Sequence, residues 1–180
     1  MTILIAYGTI EGQTGKIARF LDTTLREQGH ETDVLDTSDG TRDVAWETIE
    51  RVVLAGSVHE QKHPRAFEVF AYAHRRELSA LPTLLCSVSL NAAFPEGQAE
   101  AVSYIDAFKD RNELTTTRDL LVAGALHAAQ YDYYATQVLQ HVLLRGRSYD
   151  PHATEHEFTD WDALRQAVTE FAQERAPHPV

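Results

Sequence analysis

The residues with the clearest chemistry form one short run, Gly8-Thr9-Ile10-Glu11-Gly12-Gln13-Thr14. The run follows an apolar stretch and leads into a segment of helical periodicity. A phosphate placed there would meet free backbone N–H groups at a helix N-terminus and the favourable end of the helix dipole. Thr9 and Thr14 add hydroxyl donors, and Gly12 lets the backbone approach an anion closely. The alternative use of the two threonines is simply to cap the helix. The run is not a Walker A loop, and it lacks the G-x-G-x-x-G spacing expected for a dinucleotide.

Other side chains offer less. His152 and His156 stand four apart with Glu155 and Glu157 nearby, a spacing that on a helix suits zinc. Pro151 and the polar surroundings read as a loop instead, so no metal site is assigned. His59 and His63 repeat the spacing, but Pro64 follows directly and disfavours helix there. Cys86, the single cysteine, lies within an apolar run and reads as a buried, inert thiol, with no partner for an intrachain disulfide. No G-x-S-x-G elbow is present. No side chain is assigned as a catalytic acid or base.

The elements that must position the loop follow from hydrophobic patterning. Short apolar runs predict strands at Ile3–Tyr7, Thr32–Leu35, Val52–Ala55, Leu84–Val88 and Leu120–Leu126. Between them, Ile17, Phe20, Leu21 and Leu25 recur at helical spacing up to Gly29. Pro64 opens a helix carrying Phe67, Phe70 and Ala71, and Ala101 to Phe108 reads as another. A last helix starts near Asp160 and is expected to bury Trp161, Leu164, Val168 and Phe171. Uninterrupted apolar strands alternating with helices predict a parallel sheet covered on both faces. Such sheets bind ligands beyond the carboxyl ends of their strands. About thirty extra residues, His127 to Phe158, interrupt the pattern after strand five, and Glu155–Phe158 reads as a resumed half of that strand.

Composition sets the bounds. A chain of 180 residues with 43% apolar content suits one domain, placed at residues 1–176 with an insertion at about 127–158 and a tail at 177–180. A formal charge of −11 argues against a nucleic-acid partner and weakens docking on anionic lipid. The N-terminus lacks a secretion-signal pattern, and no apolar run reaches the roughly 20 residues needed to cross a bilayer. The expectation is a cytoplasmic protein, with peripheral contact at the inner face of the membrane left open.

Tyr7-Gly8-Thr9-Ile10-Glu11-Gly12-Gln13-Thr14 resembles the FMN phosphate loop of flavodoxin-like proteins. The acidic residue before the glycine and the Gln-Thr after it are closest to the menaquinone-dependent, flavodoxin-type protoporphyrinogen oxidases. Ala55-Gly56-Ser57-Val58, Ser87-Val88-Ser89-Leu90 and Ala123-Gly124-Ala125-Leu126 resemble blocks of that family in the same order. So do Tyr131, Tyr133, Tyr134 and Thr159-Asp160-Trp161.

The resemblance implies a flavodoxin-like three-layer α/β sandwich with five parallel strands in order 2-1-3-4-5 and an insertion at strand five. It implies FMN as cofactor, its phosphate held by Thr9, Ile10, Glu11, Gly12, Gln13 and Thr14, with the Glu11 carboxylate turned outward. Ser57, Val58 and His59 would lie along one side of the isoalloxazine ring, and Ser89, Leu90, Asn91 and Ala92 along the other. His59 or His63 could donate a proton near the ring. Electrons would pass from a porphyrinogen through FMN to a quinone. The alternative is a flavodoxin-like electron carrier without a substrate of its own.

The chain departs from the family in carrying His59-Glu60-Gln61-Lys62 after strand three and His127-Ala128-Ala129-Gln130 after strand five. Arginines are usual at both places. The insertion carries Gln137, Gln140 and His141, with Arg145 and Arg147 only at its end. It is open between a ligand cover, a membrane face, a homodimer contact and core.

Overall fold

The structure is a computed structural model that describes residues 1–40, 42–127 and 155–174. Its centre is a five-stranded parallel sheet. The strands are β1 (Thr2–Gly8), β2 (Glu31–Asp36), β3 (Arg51–Ser57), β4 (Thr83–Ser89) and β5 (Arg118–Ala123). They lie in the order β2-β1-β3-β4-β5, as the flavodoxin-like reading expects. Helices α1 (Gln13–Glu27), α2 (Arg65–Ala73), α3 (Arg75–Ala80), α4 (Gln98–Asn112) and α5 (Trp161–Gln173) cover it.

Alternation along β1 divides the core in two. Ile3 and Ile5 join Ile17, Leu21, Leu164, Val168 and Phe171 beneath α1 and α5. Leu4 and Ala6 face the other way, with Phe67, Leu78, Ile105 and Phe108 of α2, α3 and α4. Adjacent residues of a strand point to opposite faces, so one uninterrupted apolar run supplies both layers. Cys86 is fully buried in the first layer, where burial pushes its thiol up to about 12.

Register brings four strand ends together. Gly8 pairs with Gly56, Ser57 with Val88, and Ser89 with Ala123. At Gly8 and Gly56 the packing is too close for a side chain. A Cβ on Gly8 would lie 2.6 Å from Phe67 Cβ, and one on Gly56 would lie 2.5 Å from a Phe67 ring carbon. The two glycines thus let α2 settle directly over the ends of β1 and β3.

Three expectations need correction. Strand five does not run on to Leu126: it stops at Ala123, and Ala125–His127 forms a separate strand, β6. Glu155–Glu157 (β7) is not a resumed half of strand five. It runs antiparallel to β6, Ala125 opposite Glu157 and His127 opposite Glu155. Gly124 stands at the break between β5 and β6, its N–H bonded to Ser89 O at 3.1 Å. Phe158 N–H closes the base of the ladder onto Gly124 O at 3.0 Å. Finally, Trp161 is half-buried, resting on Phe20 at 4.9 Å between ring centroids. Its indole N–H reaches back to Glu157 at 3.0 Å, so it sits at the helix start with one polar edge outward.

Candidate functional site

β1 ends at Gly8, and the chain turns through Thr9–Gly12 into α1. Gly12 has φ of 92°, a left-handed conformation that suits glycine. Thr9 Oγ1 accepts the Gly12 N–H at 2.9 Å, which fixes the turn and leaves the Thr9 hydroxyl hydrogen free to donate. No side chain caps α1, and the first helical bond is Lys16 N–H to Gly12 O. The N–H groups of Gln13, Thr14 and Gly15 therefore point out of the helix end without intrahelical partners. Thr14 is not a cap: its hydroxyl is wholly buried and has no hydrogen-bond partner.

A cleft opens beside this turn. Its cavity volume is about 60 Å³, and it opens to solvent at its mouth. Thr9, Ile10, Glu11, Gln13 and Thr14 form one wall. Ser57, Val58 and His59 form a second, and Val88, Ser89, Leu90, Gly124 and Ala125 a third. Ser57 Oγ is a second buried hydroxyl without a partner. Two such hydroxyls lining one cleft are costly unless a ligand with strong acceptors or donors meets them. No Lys or Arg is among the described lining residues, so an anion there relies on N–H groups and the α1 dipole.

Most residues singled out from sequence meet at this cleft, but three do not line it. Gly12 shapes the turn from outside. Asn91 turns its amide to Tyr104 Oη at 2.8 Å, and Tyr104 donates onward to Glu100 at 2.8 Å. Ala92 lies in a groove against β5, its N–H bonded to Ser89 Oγ at 3.2 Å. The 3-10 turn at Asn91–Ala93 rotates these residues away from the strand end. His63 does not line the cleft either. It is buried on the α2 side between Phe67 and Phe108. His59 is the histidine at the wall. Val88, Gly124 and Ala125 also line the cleft and were not singled out from sequence as cleft residues, because nothing local marks them.

The Gln13 side chain is committed elsewhere. Its amide donates to Thr159 Oγ1 at 2.9 Å and to Glu157 at 3.0 Å, and Thr159 donates to Ala123 O at 2.7 Å. Only its backbone N–H is free for a ligand. Glu157 also takes Lys16 Nζ at 2.5 Å and the Trp161 indole. Partial burial opposes ionisation of Glu157, but these donors outweigh it and hold the carboxyl below its ordinary range. The start of α1 is thereby tied to β7 and to the end of β5. His152, the tyrosines at 131, 133 and 134, and the arginines at 145 and 147 lie outside the described residues.

A five-strand parallel sheet in this order, with a phosphate-type turn after its first strand, defines a class. The flavodoxin domain family matches residues 4–151, and the chain belongs to it. At finer grain the chain is 29% identical to protoporphyrinogen IX dehydrogenase [quinone] of Escherichia coli K12 over 173 residues. That match covers 96% of this chain and 95% of the relative. The enzyme of the same name from Leishmania major is also 29% identical, over 94% of this chain and 74% of its own. Oxidised flavodoxin 1 from Bacillus cereus superposes with a TM-score of 0.59 at 15% identity, covering 98% of this chain and all of its own. A Fusobacterium nucleatum flavodoxin mutant bound to flavin mononucleotide gives 0.51 at 13%, over 96% and 94% of the two chains. Among the described residues, no helix is long and apolar enough to cross a membrane.

Proposed function

We propose that this chain is an FMN-dependent oxidoreductase that takes electrons from a porphyrinogen and passes them to a quinone. The observation that carries the cofactor is the Thr14 hydroxyl, buried without a partner beside the unpaired N–H groups of α1. A phosphate monoester supplies the acceptors those groups lack. Thr9 and Thr14 hydroxyls, with the N–H groups of residues 13 to 15, would hold it. Ser57, Val58 and His59 would flank the isoalloxazine ring on one side, Ser89 and Leu90 on the other. Ile10, 53% exposed, adds an apolar surface at the cleft. FMN, when bound, supplies the hydride and electron chemistry, and the protein positions the ring and limits water around it.

The substrate and acceptor rest on the relatives, whose names specify protoporphyrinogen IX and a quinone over nearly the same length of chain. The working place we infer is the cytoplasm. We read residues 1–176 as the functional unit. Net charge favours a second reading. At −11, the surface suits docking to a basic redox partner, as an electron carrier would require.

Purification followed by an absorption spectrum tests the cofactor, because a flavoprotein is yellow. Anaerobic addition of protoporphyrinogen IX, then a menaquinone analogue, tests the reaction. Bleaching of the flavin by the first and recovery with the second supports the oxidoreductase. Flavin that only a reductase partner can reduce would favour the carrier, and a colourless protein that takes up no FMN would refute both.

A further inference from the structure

Among the described residues, His63 is the buried imidazole that the proposed function leaves without a task. It is 4% exposed. Nε2 lies 3.2 Å from Ser87 Oγ, while Nδ1 has no hydrogen-bond partner. The ring packs on Phe108 at 4.7 Å and Phe67 at 5.9 Å between centroids. It also presses on β3: a Cβ added at Gly56 would come within 2.8 Å of His63 Cδ2.

Its place in the chain gives this contact a purpose. His63 directly follows a four-residue turn, His59–Lys62, closed by reciprocal backbone bonds of 2.9 and 3.0 Å. Glu60 and Gln61 at its corner have φ of 48° and 66°. Such left-handed conformations cost free energy in residues with side chains and persist where the surroundings enforce them. The turn has two attachments, one at each end. Ahead of it, Val58 N–H bonds Val88 O at 2.8 Å. Behind it, His63 bonds Ser87, the neighbouring residue of β4. The wall of the cleft formed by Ser57, Val58 and His59 thus hangs on two consecutive residues of β4.

Resting on the FMN reading, we propose that His63 is a positioning residue for the flavin ring: its bond to Ser87 fixes the His59–Lys62 turn at the cleft wall. A leucine could fill the space between Phe67 and Phe108 without stripping water from an imidazole. What histidine adds is a polar atom that reaches β4. Burial, reinforced by Arg111, pushes its pKa down to about 4, so the ring is uncharged at neutral pH. One nitrogen is then a donor or an acceptor to the Ser87 hydroxyl, according to tautomer.

The test compares riboflavin, which has the ring but no phosphate, with FMN. Titrations with both are made on wild type, His63→Leu, Ser87→Ala, the double variant and His63→Gln. Ser87→Ala is the mild change that carries the test if His63→Leu does not fold. We expect His63→Leu and Ser87→Ala each to weaken riboflavin and FMN by the same factor, about three- to tenfold, as loss of one buried hydrogen bond implies. The double variant should be no weaker than the worse single one. His63→Gln, long enough to reach Ser87, should restore binding, and the flavin midpoint potential should shift in the first two variants and return in this one. Unchanged riboflavin affinity in the variants, or weakening confined to FMN, would overturn the proposal. Wild type that holds FMN but not riboflavin would overturn it as well. Wild type that holds neither flavin would instead overturn the FMN reading on which it stands.

Discussion

Replacing Thr14 by valine isolates the phosphate chemistry from the rest of the cleft. The two side chains have nearly the same shape, and position 14 is wholly buried. The exchange trades a hydroxyl without a protein partner for a methyl, so the fold keeps its packing and the apo-protein should lose no stability. What is lost is a hydrogen bond to a charged group, worth about 1.5–3 kcal/mol. At about 1.4 kcal/mol per tenfold, FMN should bind about 10- to 150-fold more weakly. Quenching of flavin fluorescence on titration measures this directly. Thr14→Ser, which keeps the hydroxyl, should stay near wild type. Riboflavin, having no phosphate, should bind Thr14→Val as it binds wild type. Equal FMN affinities in Thr14→Val and wild type would show that the anion sits elsewhere. An equal loss for riboflavin would show that the substitution disturbed the cleft as a whole.

Other outcomes follow from the same structure. Gly56→Ala would place a Cβ 2.5 Å from one Phe67 ring carbon and 2.8 Å from His63 Cδ2. Urea denaturation should show a loss of about 1–3 kcal/mol, typical of overpacking. Asp160 accepts the Ala163 N–H at 2.9 Å as the N-cap of α5, so Asp160→Ala should cost about 1 kcal/mol in the same assay. Stability should also fall in mild acid. An unfolded histidine titrates near 6.5, whereas burial, with Arg111 adding to it, holds His63 at about 4. Between these values the unfolded chain takes up a proton that the native chain refuses. The stability present above pH 6.5 is therefore lost as pH falls toward 4, by about 2 kcal/mol at about pH 5. His63→Gln should remove that part of the difference between denaturation curves at about pH 7.5 and about pH 5. His30, lowered by partial burial, contributes in the same direction in both proteins and cancels in the comparison.

The sheet was legible in the chain because local signals and tertiary demands agree. Runs such as Ile3–Tyr7 and Leu84–Val88 are apolar at every position, as strands covered on both faces must be. The turn at Gly8–Thr14 was legible because its chemistry is carried by consecutive residues. What escaped depends on partners far away in sequence. Gln13 reads as a ligand group until Glu157 and Thr159 are seen to hold it from 144 and 146 residues away. Nor does sequence show that the Asn91 side-chain amide goes to Tyr104, one helix later, leaving only its backbone to serve a ligand. The antiparallel partner of β6 lies beyond residues 128–154, and nothing local in Glu155–Glu157 states the direction of pairing. His63 has the spacing of a ligand and the surroundings of a core residue, and only packing decides between them.

The short ladder at the end of β5 has a consequence for how this domain can diverge. Gly124 and Phe158 meet through one backbone bond, with β6 and β7 paired beyond it. The two ends of the excursion are therefore neighbours whatever number of residues separates them. Extra length inserted between such ends enters the free energy only logarithmically, about 0.6 kcal/mol per doubling. Grafting a counterpart from a relative onto the same two endpoints would therefore keep the span that the new segment has to close.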